Sequence, residues 1–175
     1  MPRLVPPFGS GPGVIPSNAM DPNGWMKLAI EQARASIAGG QSPFGSVIVR
    51  GGELVAAHQN EVWLRGDPTA HAEVVNIQAA ARQLRTIDLS GCTLYSTCEP
   101  CPMCASAIHW AKLDAVYYGA TIEDAQKAGF TELTLPIGEV YRIGRSGVRV
   151  TPGIMQAECA KLFEEWLAHQ GHRAY

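Results

Sequence analysis

Two short motifs constrain this chain more than any other feature: a His-x-Glu run that begins at His71 and a Pro-Cys-x-x-Cys run that begins at Pro100. One histidine and two cysteines spaced by one helical turn are ligands that zinc accepts, and three protein ligands leave a fourth position open for water. Glu73 lies two positions after the histidine, close enough to exchange protons with such a water. The motifs therefore predict a catalytic zinc centre made of His71, Cys101 and Cys104, with Glu73 as its acid and base.

The cysteines are also compatible with a redox pair or with a structural zinc site. A redox-active Cys-x-x-Cys pair would need neither His71 nor Glu73. A structural zinc site would need a fourth protein ligand, for which Cys98 is the nearest candidate. The chain has five cysteines, an odd number, with three of them inside seven positions. This distribution favours metal binding over a disulfide framework and indicates a reducing compartment, so we expect a cytoplasmic protein.

Composition excludes several functional classes. The chain has 175 residues and a formal net charge of -2, which fits one domain and argues against a protein that grips a polyphosphate backbone. No run of about 18 apolar residues suggests a membrane span, and no secretory signal is visible. We therefore expect a small-molecule substrate, and neither a nucleic-acid partner nor a membrane.

The N-terminal residues 1–24 are rich in proline and glycine and have no apolar period, which predicts a flexible leader before a domain at 25–175. Ser17-Asn18-Ala19, directly before Met20, resembles the remnant of an expression tag.

Apolar periods and turn residues predict the elements of the domain. They are, in chain order, a helix that begins at 21–25, strands at 44–50 and 54–59, a helix through 74–84, a strand at 93–97, a helix at 101–111, a strand at 115–119, a short helix at 122–128, a loop around 136–138, a strand at 148–151 and a closing helix at 155–166. The strand, helix and strand between 93 and 119 indicate a parallel crossover.

Both zinc motifs fall at predicted helix starts. Pro100 suits a first helical turn, and Asp67 or Thr69 is expected to cap the helix that places His71 at its beginning. If the two helices follow adjacent parallel strands, the three ligands meet in the crevice where open α/β sheets bind ligands.

In combination, these motifs resemble the zinc-dependent cytidine deaminase-like superfamily, in which zinc activates water to replace an amine on a nucleobase. The resemblance implies a three-layer α/β/α fold with a mixed five-stranded sheet between helices. It also implies that His71, Cys101 and Cys104 bind zinc and that Glu73 shuttles protons.

The residues around the motifs are similar to those of the bacterial guanine deaminase family, notably 43–45, 59–60, 67–73, 96–104 and 128–130. That similarity implies a purine-binding set made of Phe44, Asn60, Ala70, Trp110 and Tyr175. It further implies that Asp124 is a second catalytic carboxylate, and that the chain forms a homodimer in which a swapped C-terminal segment can close the pocket with its tyrosine. Phe44 and Trp110 could equally be core residues, Asn60 could end a strand, and Asp124 could be a solvated helix residue.

The substrate alternatives are adenosine in tRNA, guanosine, and cytosine or a triazine. The acidic Glu164 and Glu165 in the closing helix speak against the RNA substrate. The alternative outside enzymes is a binding module in which the zinc is structural.

Overall fold

The computed structural model describes residues 20–175, so residues 1–19 of the predicted leader lie outside it. The first helix, α1, spans Pro22–Ala38 and begins where the side chain of Asp21 accepts a hydrogen bond from the Gly24 backbone N–H at 2.7 Å. Proline is well suited to a first helical position, because its missing N–H would have no partner there. Helix α1 thus begins within the range 21–25 expected for it, and the domain boundary after residue 24 stays a prediction.

A mixed sheet of five strands forms the middle of the molecule, as the resemblance implied. Its strands are β1 (Gly45–Arg50), β2 (Glu53–Gln59), β3 (Cys92–Cys98), β4 (Ala115–Ala120) and β5 (Arg149–Thr151), in the order β2-β1-β3-β4-β5. β1 pairs antiparallel with both β2 and β3, whereas β3, β4 and β5 are parallel. Gly51 and Gly52 connect β1 to β2 with φ values of 59° and 80°, a turn that favours glycine at both positions.

Helices cover both faces of the sheet. They are α2 (Val62–Arg65), α3 (Ala72–Leu84), α4 (Pro102–Trp110), α5 (Ile122–Lys127), α6 (Ile137–Gly144) and α7 (Gln156–Leu167), in addition to α1. One apolar core lies between the sheet and α1 with α7, and a second between the sheet and α3, α4 and α6. The three-layer architecture is confirmed. Among residues 20–175, no helix combines the length and hydropathy that crossing a bilayer requires.

Helix α6 corrects the prediction of a loop around Pro136 and Gly138. Pro136 stands immediately before the helix, where proline is tolerated, so it marks a start and not an interruption. Ile137 is fully buried, and the Tyr141 hydroxyl donates to the Ala105 carbonyl of α4 at 3.0 Å. Tertiary packing therefore stabilises a helix where the turn residues Pro136 and Gly138 predicted a loop. The four-residue α2 was not predicted either.

The sheet brings the starts of α3 and α4 to one edge. β2 and β3 point the same way because each is antiparallel to β1, so the segments that leave their carboxyl ends reach the same side. α3 follows β2 through α2, and α4 follows β3 directly. The predicted convergence is present, although the two strands are not adjacent, because β1 lies between them.

Candidate active site

His71, Cys101 and Cys104 form the one group of potential metal ligands found among residues 20–175, with ligand atoms that all lie within 4.8 Å of one another. His71 Nδ1 is 3.8 Å from Cys101 Sγ and 3.6 Å from Cys104 Sγ. A tetrahedral ion about 2.3 Å from sulfur and about 2.0 Å from nitrogen requires nitrogen–sulfur separations of roughly 3.5 Å. The donor atoms and their spacing therefore fit zinc.

Two of the three ligands occupy helix N-cap positions. His71 is the N-cap residue of α3 and Cys101 is that of α4, and neither side chain makes a capping hydrogen bond. Asp67 and Thr69 do not cap α3 as predicted, because the Asp67 carboxylate accepts from the Thr69 N–H and hydroxyl in the preceding turn. The N-cap side chains are thus free to face each other.

The two cysteines of the site have opposite proton affinities. A hydrogen bond from Cys104 lowers the pKa of Cys101 to about 4 against the effect of burial, and His71 lowers it further. The same contact, followed by burial, raises the pKa of Cys104. For His71, burial lowers the pKa, but the contacts with Cys101 and Glu73 outweigh it and raise the pKa overall. Cys101 is therefore a thiolate at neutral pH, the form that binds a metal.

Glu73 is buried beside these ligands, with 5% of its surface exposed. The Ser96 hydroxyl of β3 donates to Glu73 Oε1 at 2.7 Å, while Glu73 Oε2 lies 3.5 Å from Cys104 Sγ. Burial is the largest influence on this carboxyl group and raises its pKa. The carboxyl group is thus held at the metal position with its proton affinity increased, as an acid and base requires.

The first turn of α3 is fastened to the sheet. The Ser46 hydroxyl of β1 donates to the Ala72 carbonyl at 2.9 Å, and Asn76 Nδ2 donates to the same hydroxyl at 3.0 Å. All these groups are buried. Since Ala72 lies between His71 and Glu73, these bonds fix the direction of both functional side chains.

Glu132 is a site residue that the sequence did not reveal. It lines the same small cavity as His71, Glu73 and Cys101, and burial, followed by the charge of Cys101, raises its pKa. It lies in the irregular segment 128–136 between α5 and α6. No periodic pattern or motif marks this position, so its acidic character was the single available signal. The cavity measures about 10 Å³, roughly the space of one water molecule.

Four of the five predicted purine-binding residues are brought together. Asn60 is fully buried, and its Nδ2 donates to the Tyr175 hydroxyl at 2.8 Å while its Oδ1 accepts from the Val62 N–H at 3.2 Å. Phe44 lines the small cavity, and Ala70 is buried against Val62 and Tyr175. The Tyr175 ring centroid is 5.5 Å from that of His71.

The C-terminal tail, residues 169–175, reaches the site of its own chain. The Arg173 guanidinium carbon lies 3.9 Å from the centroid of the Trp63 ring, and Trp63 Nε1 donates to the Arg173 carbonyl at 3.3 Å. Burial raises the pKa of the Tyr175 hydroxyl. His71, Cys101, Glu132 and Tyr175 also border a larger cleft of about 200 Å³, so the tail forms one wall of the approach to the zinc ligands.

Trp110 does not line the purine site as expected. Its surface is 79% exposed, and it borders a separate groove between α4 and α6 with His109 and Tyr141. Cys104 and Ile108 mark the buried face of α4. With a rotation of about 100° per residue, Trp110 lies about 240° around the helix axis from Cys104 and about 200° from Ile108, so it points away from that face.

Asp124 is also away from the site, because its carboxylate is used by α5. Asp124 Oδ2 accepts from the Thr121 N–H and hydroxyl, and the Thr121 hydroxyl accepts from the Asp124 N–H, which is a capping box. Burial acts to raise the pKa of Asp124, but the bonds from Thr121 and Lys127 outweigh it and lower the pKa. The groove next to Asp124 contains Lys127 and Phe163 and none of the zinc ligands.

Cys98 does not complete a four-ligand site. Its Sγ donates to the Thr121 carbonyl at 3.4 Å, and it is not part of the ligand group formed by His71, Cys101 and Cys104. Burial raises its pKa well above the usual value, which keeps it a neutral thiol. Three protein ligands and an open position distinguish a catalytic from a structural zinc site.

Comparisons with known proteins agree with this geometry. Residues 20–120 match the family described as the cytidine and deoxycytidylate deaminase zinc-binding region. Guanine deaminase of Bacillus subtilis (strain 168) is 50% identical over 105 residues, which are 60% of this chain and 65% of that protein; the match thus spans less than two thirds of that relative. The tRNA-specific adenosine deaminase of the same strain is 34% identical over 135 residues, 77% of this chain and 81% of that protein. A solved structure of guanine deaminase from Nitrosomonas europaea superposes with a TM-score of 0.79 at 28% identity, covering 94% of this chain and 97% of that one.

Proposed function

The chain belongs to the cytidine and deoxycytidylate deaminase family, and on this premise we propose that it is a zinc-dependent hydrolase that converts guanine and water to xanthine and ammonia. One observation carries the proposal: the three-ligand group of His71, Cys101 and Cys104 lies in contact with the buried carboxyl group of Glu73. This arrangement combines a metal site that has an open position with an acid and base.

Zinc, when held by His71, Cys101 and Cys104, supplies Lewis acidity that lowers the pKa of a water molecule. Glu73 accepts the proton of the attacking water, since Ser96 holds Glu73 Oε1 and leaves Oε2 directed at the ligands. Glu73 delivers this proton to the ring nitrogen, then takes up the second proton of the same water and delivers it to the amine, which leaves as ammonia. Burial raises its pKa, which favours uptake of the proton from water.

Glu132 takes the second carboxylate role that the resemblance assigned to Asp124. It borders the small cavity next to Glu73, whereas Asp124 is committed to its capping box. A second carboxyl group close to the reacting carbon can accept or donate a proton as the amine leaves as ammonia. Its burial and the proximity of Cys101 raise its pKa, which favours that task.

Recognition of guanine rests on Asn60. Its amide can donate to the oxo group and accept from a ring N–H, and a purine that lacked either group would leave a buried polar atom unsatisfied. The Asn60 Nδ2 donates to the Tyr175 hydroxyl at 2.8 Å. Guanine therefore replaces Tyr175 as the partner of Asn60, and Phe44 provides an aromatic wall on the cavity side.

Ammonia release is the direct test. Purified chain with stoichiometric zinc is incubated with guanine, guanosine, adenine, cytosine and ammeline, with and without a chelator. Guanine should give the largest release, and chelation should abolish it. If another base reacts and guanine does not, the substrate assignment is wrong while the zinc chemistry stands.

Adenosine in tRNA is the second candidate, because the similarity to the tRNA-specific deaminase extends over 77% of the chain. The net charge of -2 opposes it, since RNA binding needs a basic surface. Inosine formation in tRNA, with binding that weakens steeply as salt rises, would favour this candidate over guanine.

A homodimer remains a prediction. Trp110 and Ile143 are exposed apolar side chains on α4 and α6, which supports an association surface there. The exchange of C-terminal segments is also a prediction, and the tail of the single chain already reaches its own site. Analytical ultracentrifugation of the wild-type chain and of Trp110→Glu tests the surface: the variant should shift toward monomer.

A further inference from the structure

Glu99 is a buried carboxylate to which the zinc chemistry assigns no task. It is 9% exposed and lies immediately before Pro100, at the end of β3. Its Oε1 accepts from the Ile137 N–H at 3.0 Å, and its Oε2 accepts from the Ile122 N–H at 3.5 Å. Ile122 and Ile137 are the first residues of α5 and α6, and such N–H groups have no partner within their own helix. One carboxylate therefore ties two helix starts to the strand that leads to Cys101.

The segment between those two helix starts carries Glu132. Residues 128–136 have no regular structure, and the Glu132 backbone is held by one weak contact, a donation from Gln126 Nε2 to its carbonyl at 3.4 Å. Phe130 is buried in the core and fixes one point of the segment. On the far side of Glu99 lies a half-open cavity of about 400 Å³, bordered by Tyr118 and Thr134. The hydrogen bonds of Glu99 connect both ends of the segment to β3, while the Thr131 N–H donates to the Tyr175 carbonyl at 3.4 Å.

Glu99 also reaches the site itself. It lines the small cavity together with Glu73 and Glu132, so it stands between that cavity and the larger one behind it. A change in its two hydrogen bonds shifts the starts of α5 and α6, and with them the segment that carries Glu132. A misplacement of about 1 Å can reduce turnover by roughly a hundredfold when a reacting group is involved.

We propose that Glu99 is a positioning residue: by binding the N–H groups of Ile122 and Ile137, it sets where Glu132 stands relative to Glu73 and the zinc ligands. Its effect on turnover rests on the proposed function, because it acts through Glu132. Both carboxylate oxygens are required, since each accepts one N–H. A glutamine has one acceptor oxygen, and its amide nitrogen would face a backbone donor with a donor.

The test compares Glu99→Gln with Glu139→Gln in the full chain. Glu139 is the matched control because it lies on α6, carries the same charge and bonds only to the exposed Arg142. In Glu99→Gln, amide hydrogen exchange in residues 128–136 should accelerate about fivefold, the factor expected for one lost hydrogen bond. The kcat with guanine should fall about tenfold to a hundredfold with zinc content unchanged. Glu139→Gln should match wild type in all three measurements.

A double-mutant cycle separates positioning from general stability. On a Glu132→Gln background, Glu99→Gln should lower kcat no further, because residues that act through one another are not additive. Additive losses, or unchanged exchange in residues 128–136, would overturn the proposal. If Glu99→Gln does not fold, Glu99→Asp replaces it in both experiments, since it keeps the charge but is too short to reach both N–H groups. Exchange does not require turnover, so a wild-type chain that fails to deaminate guanine refutes the proposed function and leaves Glu99 testable.

Discussion

Helices α1 and α5 begin differently from helices α3 and α4. Asp21 bonds to the first turn of α1, and Thr121 forms a capping box at the start of α5. At the same position, α3 has His71 and α4 has Cys101, and neither side chain makes a capping hydrogen bond. Side-chain caps stabilise a helix by about 1 kcal/mol. The zinc-binding helices forgo this stabilisation so that the N-cap side chains can serve as ligands, which is where local stability rules are expected to fail.

The acidic residues in the first turns differ in the same way. Glu73 near the start of α3 is buried and turned toward the ligands, whereas Asp124 near the start of α5 is turned back onto its own backbone. A carboxylate close to a helix start is therefore not sufficient evidence for catalysis. The partner of the carboxylate decides its role.

The largest expected effect concerns Glu73. Glu73→Gln keeps the size of the side chain and an oxygen that can accept from Ser96, but it cannot transfer protons. We expect kcat to fall by about 10³–10⁴-fold with zinc content close to wild type, measured by ammonia release and atomic absorption. If turnover is retained, Glu73 takes no part in the chemistry, and the first turns of α3 and α5 do not differ in function.

Removal of the metal should destabilise the starts of α3 and α4 and leave the starts of α1 and α5 unchanged. Chelation should abolish turnover and lower the free energy of unfolding, because zinc at 100 times its Kd stabilises a folded chain by about 2.7 kcal/mol. Hydrogen exchange should accelerate at the N–H groups that follow His71 and Cys101, while the first turns of α1 and α5 stay protected. Uniform acceleration across all four helix starts would contradict the idea that the metal takes over the role of a cap.

The smallest effect is expected for Asp124. Asp124→Ala removes the capping box and the contact with Lys127, which should cost about 1 kcal/mol and lower Tm by roughly 2–4 °C in a chain of this size. Turnover should stay within about twofold, because the substitution leaves the zinc ligands and Glu73 in place. A collapse of turnover in a folded, zinc-loaded Asp124→Ala chain would restore the catalytic role that the resemblance implied.

The sequence was sufficient for the ligand group because the required information is local. Cys101 and Cys104 share one helical turn, and His71 and Glu73 lie two positions apart, so their spacing survives in any packing of the two helices. The layers and the sheet also followed from the pattern of apolar residues and from the resemblance. Asn60 comes from the same resemblance, and its role in purine binding stays a prediction.

The positions of the remaining site residues depend on how tertiary packing orients their side chains. Trp110 belongs to a helix whose rotation about its axis is fixed by Cys104 and Ile108, and this rotation turns the tryptophan outward. Glu132 belongs to a segment without a period, which is placed by contacts from Glu99 and from the core around Phe130. No pattern along the chain expresses such contacts. Asp124, which lies in the recognisable helix α5, was assigned by the resemblance and not by a pattern in the sequence.

If Asn60 binds the base as proposed, its hydrogen bond to Tyr175 makes the C-terminal tail a competitor for the substrate site of the same chain. The hydroxyl group is tethered, so it is present at a high effective concentration regardless of how dilute the protein is. A base that needs the Asn60 amide binds only the fraction of molecules in which the tail is displaced, and its apparent Kd rises in inverse proportion to that fraction. The contacts of Trp63 with Arg173 hold the tail in its docked position. Changes in the last seven residues can thus adjust affinity while the chemical step stays the same.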